Sequence, residues 1–306
     1  MREREFIIGI DIGGTHFRIG MVTPEGNLHK YYMEDSRILN SEGNSLENLS
    51  NYIEKYVANH SLGRLAGIAI GFPSTISKDK KTVYSSPNIK GFDHVDVGTP
   101  LENKFQVPVF IDNDVNFLLQ CEIERNKLYD KGIILGFYIG TGFGNAIYLG
   151  DHFWDGKNGV AAELGHIPML GRNEICTCGN KGCIEIYASG KRLREIQQQY
   201  FADTDISELF TKHKQNPVIE EFVRALAVPI AIEINLLDPD YAIIGGGVPN
   251  MADFPSAKLE EYIYQYVRKP FPAQGLQLLY AKMAQEAGVL GAAFYAFKKL
   301  QLSKSI

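Results

Sequence analysis

Residues 162–187 read AELGHIPMLGRNEICTCGNKGCIEIY and hold three of the chain's four cysteines within eight positions. Cys176, Cys178 and Cys183 follow His166, and Gly179 and Gly182 stand between the last two cysteines. Three thiolates and one imidazole make a complete tetrahedral zinc set, and glycines let a backbone turn tightly around the ion. A chain that closes this knot has little freedom in how the segment 163–187 folds. Four protein ligands leave no open coordination position, so the Zn²⁺ expected here is structural. Carboxylates bracket the ligands, Glu163 before the histidine and Glu185 after the last cysteine. Either glutamate alone would be read as a solvated surface charge. Their position around the knot makes them candidates for a site that the knot holds in place.

A length of 306 residues is enough for a large core and implies two domains. Hydrophobic residues at 45% and charged residues at 22% are ordinary for a soluble globular protein. The net charge of −5 argues against a nucleic-acid partner. The knot is also mixed in charge and lacks the paired CxxC arms of a zinc ribbon. No apolar run is long enough to span a bilayer, and the opening MREREFIIGIDIGG has no signal-peptide apolar region. A cytoplasmic protein with no membrane partner is therefore expected. In a reducing compartment, clustered cysteines favour metal over disulfide. Cys121, within VNFLLQCEI, reads as a buried core thiol.

Strands are expected over 6–12, 17–23 and 28–33, with a turn at Pro24-Glu25-Gly26-Asn27. Asn44-Ser45-Leu46-Glu47 resembles a capping box, and Leu46, Leu49, Ile53, Tyr56 and Val57 continue at helical spacing. A buried strand follows at 65–71. Thr99-Pro100-Leu101-Glu102 opens a helix with Thr99 as its cap, and 107–112 is again a strand. The second half offers helices after Ser189 and over 217–237, 256–267 and 287–300, with strands at 241–244 and 276–280. Strands alternating with helices place the chain in the α/β class.

IIGIDIGGTHFRIGMV near the start recurs as ILGFYIGTGFGNAIYL from Ile134. Each copy is strand, glycine turn, strand. Chance similarity of two glycine-rich hairpins is one explanation, and a duplicated fold with a glycine turn from each half is the other. The first turn contains Asp11, Gly13, Gly14 and Thr15, and the second Gly140, Thr141 and Gly142. Turns without bulky side chains let backbone N–H groups approach phosphate oxygens. Thr15 adds a hydroxyl, and Asp11 is a candidate for holding Mg²⁺. Neither turn is a Walker A loop, because no Gly-Lys-Ser/Thr follows. Gly245, Gly246 and Gly247 after a third strand add to the phosphate reading.

These residues together resemble the ROK family of sugar kinases and repressors along essentially the whole chain. The resemblance rests on Asp11–Thr15 as a DxGGT turn, Asn113-Asp114-Val115-Asn116, Gly140-Thr141-Gly142, Glu163-Leu164-Gly165-His166, the Cys176 to Cys183 knot with Glu185, and Gly245-Gly246-Gly247. It implies an actin-like ATPase (RNase H-like) fold, a duplication whose two domains close over a hexose and ATP. The expected domains are 1–115 with 290–306, and 116–289. It also implies a homodimer. DIGGTHFRIG, GFPSTISKDKKTVYSSPN, GVAAELGHIP and LDPDYAIIGGGV resemble family members acting on D-allose. That makes D-allose the expected hexose, with glucose, N-acetylmannosamine and fructose as alternatives. Phe72-Pro73-Ser74 departs from the glycine that many relatives carry after the proline.

The family pattern makes Asp114 the catalytic base towards the sugar's primary hydroxyl. Asp112, two residues earlier on one strand, is the competing candidate on geometry. Asn113, Glu163, His166 and Glu185 correspond to the family's sugar-hydroxyl ligands, and Asn88 is a further one or a simple turn residue. His166 is placed to use one ring nitrogen on zinc and the other towards sugar. A sugar-sensing repressor is the alternative of another class. Such proteins carry a winged helix-turn-helix ahead of the core, and here the first strand begins about five residues from Met1.

Overall fold

The computed structural model describes residues 5–40, 43–60, 62–86, 89–282 and 284–301. The chain forms two compact units. The first comprises Met1–Leu128, Asp155–Ala161 and Ala284–Ile306, and the second Tyr129–Trp154 and Ala162–Met283.

The first unit begins with β1 (Glu5–Ile12), β2 (His16–Val22), β3 (Leu28–Asp35), α1 (Ser45–Asn59) and β4 (Arg64–Phe72). Three short strands follow, β5 (Thr75–Ile76), β6 (Thr82–Ser85) and β7 (Val95–Asp96), then α2 (Gly98–Phe105), β8 (Val109–Asn113) and α3 (Asp114–Asn126). The second unit contains β9 (Ile133–Ile139), β10 (Phe143–Leu149), β11 (His152–Phe153), α4 (Gly190–Tyr200), α5 (Leu209–His213), α6 (Pro217–Leu237), β12 (Tyr241–Gly245), α7 (Ser256–Tyr266) and β13 (Gln277–Tyr280). The last helix, α8 (Ala287–Lys299), returns to the first unit.

The main sheet of the first unit has the order β3-β2-β1-β4-β8, and that of the second β11-β10-β9-β12-β13. In the first, β1 is antiparallel to β2 and parallel to β4, and β4 is parallel to β8. In the second, β9 is antiparallel to β10 and parallel to β12, and β12 is parallel to β13. Order and direction match strand for strand, so the recurrence read in the sequence is a recurrence of topology.

Strand β1 is buried along nearly its whole length, because helices cover both faces of its sheet. Ile8, Ile10 and Ile12 join Leu49 and Ile53 of α1 and Leu101 of α2 in one core cluster. The alternate residues of β1 face α8. Helices α8 and α3 touch backbone to backbone, since a Cβ on Gly291 would lie 1.7 Å from the Phe117 carbonyl oxygen. This contact keeps α3 in the first unit, past the boundary expected at 115, and brings residues 284–289 with it. The second unit packs α6 and α7 around Leu135, Phe137, Ala242 and Ile244 of its sheet.

Asn44 caps α1 by accepting the Leu46 N–H at 2.9 Å. The expected Thr99 cap of α2 is corrected. The helix begins at Gly98, and the Asp96 carboxylate takes the Thr99 N–H at 2.9 Å. Glu102 turns away from the helix start and accepts the Val109 N–H at 3.0 Å. Cys121 is buried in α3, as expected. Among the described residues no helix is long and apolar enough to cross a membrane.

Candidate functional site

In the first unit the β1–β2 hairpin closes with the Gly13 N–H donating to the His16 carbonyl at 2.8 Å. Ser36 braces the tip. Its Oγ donates to the Gly13 carbonyl at 2.6 Å and its N–H to the Thr15 carbonyl at 3.0 Å. Gly14 and Thr15 stay exposed at the tip. Asp11 faces the first turn of α8, where a Cβ on Gly288 would lie 2.7 Å from Asp11 Cγ. Directly across the hairpin, Arg18 donates to Asp11 Oδ2 at 2.9 Å. Burial pushes the Asp11 carboxyl up, and Arg18 opposes the shift without cancelling it.

Asp114 is the first residue of α3. Asn113 ends β8 and caps the helix, its Oδ1 accepting the Val115 N–H at 3.0 Å while its Nδ2 donates to the Ser74 carbonyl at 3.2 Å. Gly71 on β4 pairs with Asp11 on one side and Asp112 on the other. A Cβ on Gly71 would lie 3.4 Å from Asp114 Cα and 3.2 Å from the Phe117 ring. The missing side chain is what lets α3 start so close to the sheet. Burial pushes the Asp114 carboxyl up to about 7, and the charge of Asp11 adds to the shift.

Asp112 has a different environment. It is 2% exposed, and its Oδ1 accepts from Lys80 Nζ at 2.8 Å, the Asn113 N–H at 2.8 Å and Asn116 Nδ2 at 3.0 Å. Lys80 also reaches Asp155 Oδ1 at 2.6 Å. Asp112 is thus the counter-ion of a partly buried lysine, while Asp114 has no ion-pair partner among the described residues.

In the second unit the four knot residues converge, with His166, Cys176, Cys178 and Cys183 offering ligand atoms all within 4.8 Å of one another. Cys178 Sγ lies 3.6 Å from Cys183 Sγ, and Cys176 Sγ lies 3.7 Å from His166 Nδ1. Zinc–sulfur bonds of about 2.3 Å at tetrahedral angles put neighbouring ligand atoms about 3.7 Å apart, so the donor set fits Zn²⁺. The thiols are free, not paired as disulfides. With Nδ1 towards the cysteines, His166 Nε2 faces Glu163 Oε2 at 3.7 Å. Burial pushes the Glu163 carboxyl up.

Glu185 lies in a 3₁₀ turn, and its Oε2 accepts the Phe143 N–H at 2.9 Å. A Cβ on Gly142 would sit 2.2 Å from that same oxygen. The carbonyls of Gly140 and Thr141 accept the N–H groups of Gly190 and Lys191 at 2.8 and 3.0 Å, which ties the turn to the start of α4. The second glycine segment packs onto the first. Gly246 has φ +96°, and a Cβ there would lie 2.5 Å from the Ile139 carbonyl oxygen. Gly247 faces open space. The structure therefore joins Gly140, Thr141 and Gly142 with Gly245, Gly246, Gly247 and Glu185, and separately joins Asp11 with the start of α3. Asn88 lies outside the described residues.

Arg18 and Lys80 were not singled out from sequence. A hairpin register counted back from the Gly13-Gly14-Thr15 turn would have set Arg18 opposite Asp11. No local pattern links Lys80 to Asp112 or Asp155.

The sequence profile of the ROK family matches residues 7–299. The chain belongs to the ROK family. Among its ROK relatives, a glucokinase of Thermotoga maritima is 27% identical over 94% of this chain and 96% of that protein. A xylose repressor of Caldicellulosiruptor bescii is 28% identical over 93% of this chain and 76% of that protein. Of solved ROK structures, a glucokinase from Streptomyces griseus in complex with glucose and AMPPNP superimposes with a TM-score of 0.75 at 28% identity, covering 94% of this chain and 98% of that one. The mixed α/β sheets described above are those of the actin-like sugar kinase fold.

Proposed function

We propose that this chain is an ATP-dependent hexose kinase that phosphorylates the 6-hydroxyl of D-allose, with Asp114 as the base. The observation that carries the reading is the Asp114 carboxyl itself. It is partly buried at a helix start, has no ion-pair partner among the described residues, and is pushed up to about 7 by desolvation and the charge of Asp11. A base with an affinity close to the working pH accepts a proton most effectively. Asp114 takes the proton of the primary hydroxyl as that oxygen bonds to the γ-phosphorus, and the bond to the β-phosphate oxygen breaks to release ADP. Asn113, Glu163, His166 and Glu185 hydrogen-bond the ring hydroxyls, with Asn88 as a further candidate. Carboxylates accept two hydroxyl hydrogen bonds each, which suits a polyol.

The hairpin tip at Gly13, Gly14 and Thr15 and the turns at Gly140, Thr141, Gly142, Gly245, Gly246 and Gly247 are the proposed phosphate-facing elements. Magnesium, when bound with ATP, would neutralise charge on the transferring phosphoryl group, and Asp11 is the proposed residue to hold it. The zinc knot is structural and fixes His166 and the two glutamates. The chain acts as a homodimer.

The similarity to a glucokinase supports phosphotransfer to a hexose. The resemblance of DIGGTHFRIG, GFPSTISKDKKTVYSSPN, GVAAELGHIP and LDPDYAIIGGGV to family members acting on D-allose supports the choice of sugar. The similarity to a repressor favours a second reading, a sugar-responsive regulator. An ATP-coupled assay across D-allose, glucose, N-acetylmannosamine and fructose decides. Comparable kcat/KM for allose and glucose removes the assignment to allose. No turnover of any hexose, together with sugar-dependent DNA binding, replaces the kinase by the regulator.

A further inference from the structure

The segment Asp155–Ala161 leaves the second unit, packs on the first and runs back. Two contacts seat it there. Asp155 Oδ1 lies 2.6 Å from Lys80 Nζ, and a Cβ on Gly159 would lie 2.5 Å from the Ile76 carbonyl oxygen. The Ala161 N–H donates to the Asp155 carbonyl at 3.2 Å and closes the segment on itself. Ala162 then takes φ +66°, an unusual conformation for a side chain with a Cβ, immediately before Glu163.

Lys80 sits on the turn between β5 and β6 with φ +58° and is 13% exposed. Its ammonium is shared between Asp155 and Asp112. Asp112 in turn accepts the Asn113 N–H and the Asn116 amide, one residue before and two after Asp114. One cation therefore ties the segment that leads into Glu163 to the turn that carries Asp114.

We infer that Lys80 is a positioning residue, a latch whose one ammonium seats both the segment 155–161, through Asp155, and the base-bearing turn, through Asp112. The inference rests on the kinase reading above. Each half of the latch makes a distinct contribution. Asp155 fixes where the chain enters Glu163, which governs hexose affinity. Asp112 fixes the β8–α3 turn, which governs the alignment of Asp114. Burial would lower the Lys80 ammonium, but Asp112 and Asp155 outweigh it and keep the lysine charged.

The test is four variants of the full chain, each assayed for hexose KM and kcat and for hydrogen exchange of peptides covering 155–161. Asp155→Asn should raise exchange in that segment and raise KM by about tenfold to a hundredfold, with kcat kept. Asp112→Asn should leave the segment's exchange unchanged and lower kcat by about tenfold to a hundredfold, with KM kept. Lys80→Met should do both, and Lys80→Arg should restore both. If Lys80→Met fails to fold because Asp112 is left buried and unpaired, the double variant Lys80→Met/Asp112→Asn removes both charges and serves in its place. Variants that lower only Tm, with kcat and KM unchanged, overturn the latch. So does unchanged exchange in Asp155→Asn. A wild-type chain that phosphorylates no hexose sinks the kinase reading instead, and the exchange measurements then decide the latch by themselves.

Discussion

The Glu185 carboxylate accepts the Phe143 N–H at 2.9 Å by passing through the space that Gly142 leaves empty. The second glycine turn thus has a packing role besides the phosphate-facing one proposed for it. It seats one of the two carboxylates that bracket the cysteine knot. A methyl group at position 142 would press on the Glu185 oxygen at 2.2 Å. Gly142→Ala should therefore raise hexose KM by about tenfold to a hundredfold, the scale of loss when a binding group is displaced by about 1 Å. Steady-state kinetics check this, with unchanged KM for hexose and raised KM for ATP as the result that returns the turn to a purely phosphate-binding role.

In the proposed kinase, Asp114 sets the pH dependence. Its carboxyl is pushed up to about 7, so it is largely protonated below that pH and unable to act as base. The kcat/KM profile should fall on the acid side with a midpoint near neutrality. Asp114→Asn should abolish that limb and lower kcat by about 10²–10⁴-fold. Stability moves the other way. A carboxyl raised in the folded state favours folding at low pH, and the advantage is lost as pH climbs through the raised value. Asp114→Asn should accordingly stabilise the fold above neutrality, by on the order of a few kcal/mol, and gain less at pH 5. Thermal melts at pH 5 and pH 8 read the difference.

Much of this was legible in the chain because it is local. The knot falls within eight residues of cysteine spacing, and glycine turns mark both copies of the repeated hairpin. Helix α6 matches its apolar periodicity from end to end. The contacts that polarise the site are not local. Lys80 meets Asp112 across 32 positions and Asp155 across 75, separations over which no periodicity carries information. Asn113 was read as a sugar ligand, and it also caps α3, a role that shows only once β8 is known to end there. Thr99 lost its capping place because the helix already starts at Gly98, and its own N–H is taken by the Asp96 carboxylate upstream.

Arg18 and Asp11 form a cross-strand ion pair with side chains 20% and 16% exposed. Removing the guanidinium leaves a largely buried carboxylate without its counter-charge, while removing both charges does not. Arg18→Met should cost about 3 kcal/mol, near the lower end of the range for breaking a buried pair, because some solvent still reaches it. The double variant Arg18→Met/Asp11→Asn should recover part of that loss. Urea unfolding of the two singles and the double gives the coupling, and additive losses would show that the pair contributes nothing of its own.

The knot offers the sharpest separation between a structural and a chemical metal. With His166 Nδ1 towards the thiols and Nε2 towards Glu163, an ion held by this cluster would have four protein ligands and no free position. Its effect on the sugar must then pass through the side chains it orders. Elemental analysis should find one zinc per chain. Chelation, or Cys183→Ser at the buried ligand, should raise hexose KM sharply and lower Tm. Readdition of zinc should restore hexose affinity, and cobalt, which accepts the same tetrahedral donor set, should restore it too and report thiolate ligation by its visible absorption. A metal-free chain that binds hexose as tightly as the loaded one would reduce the knot to a staple with no part in the site.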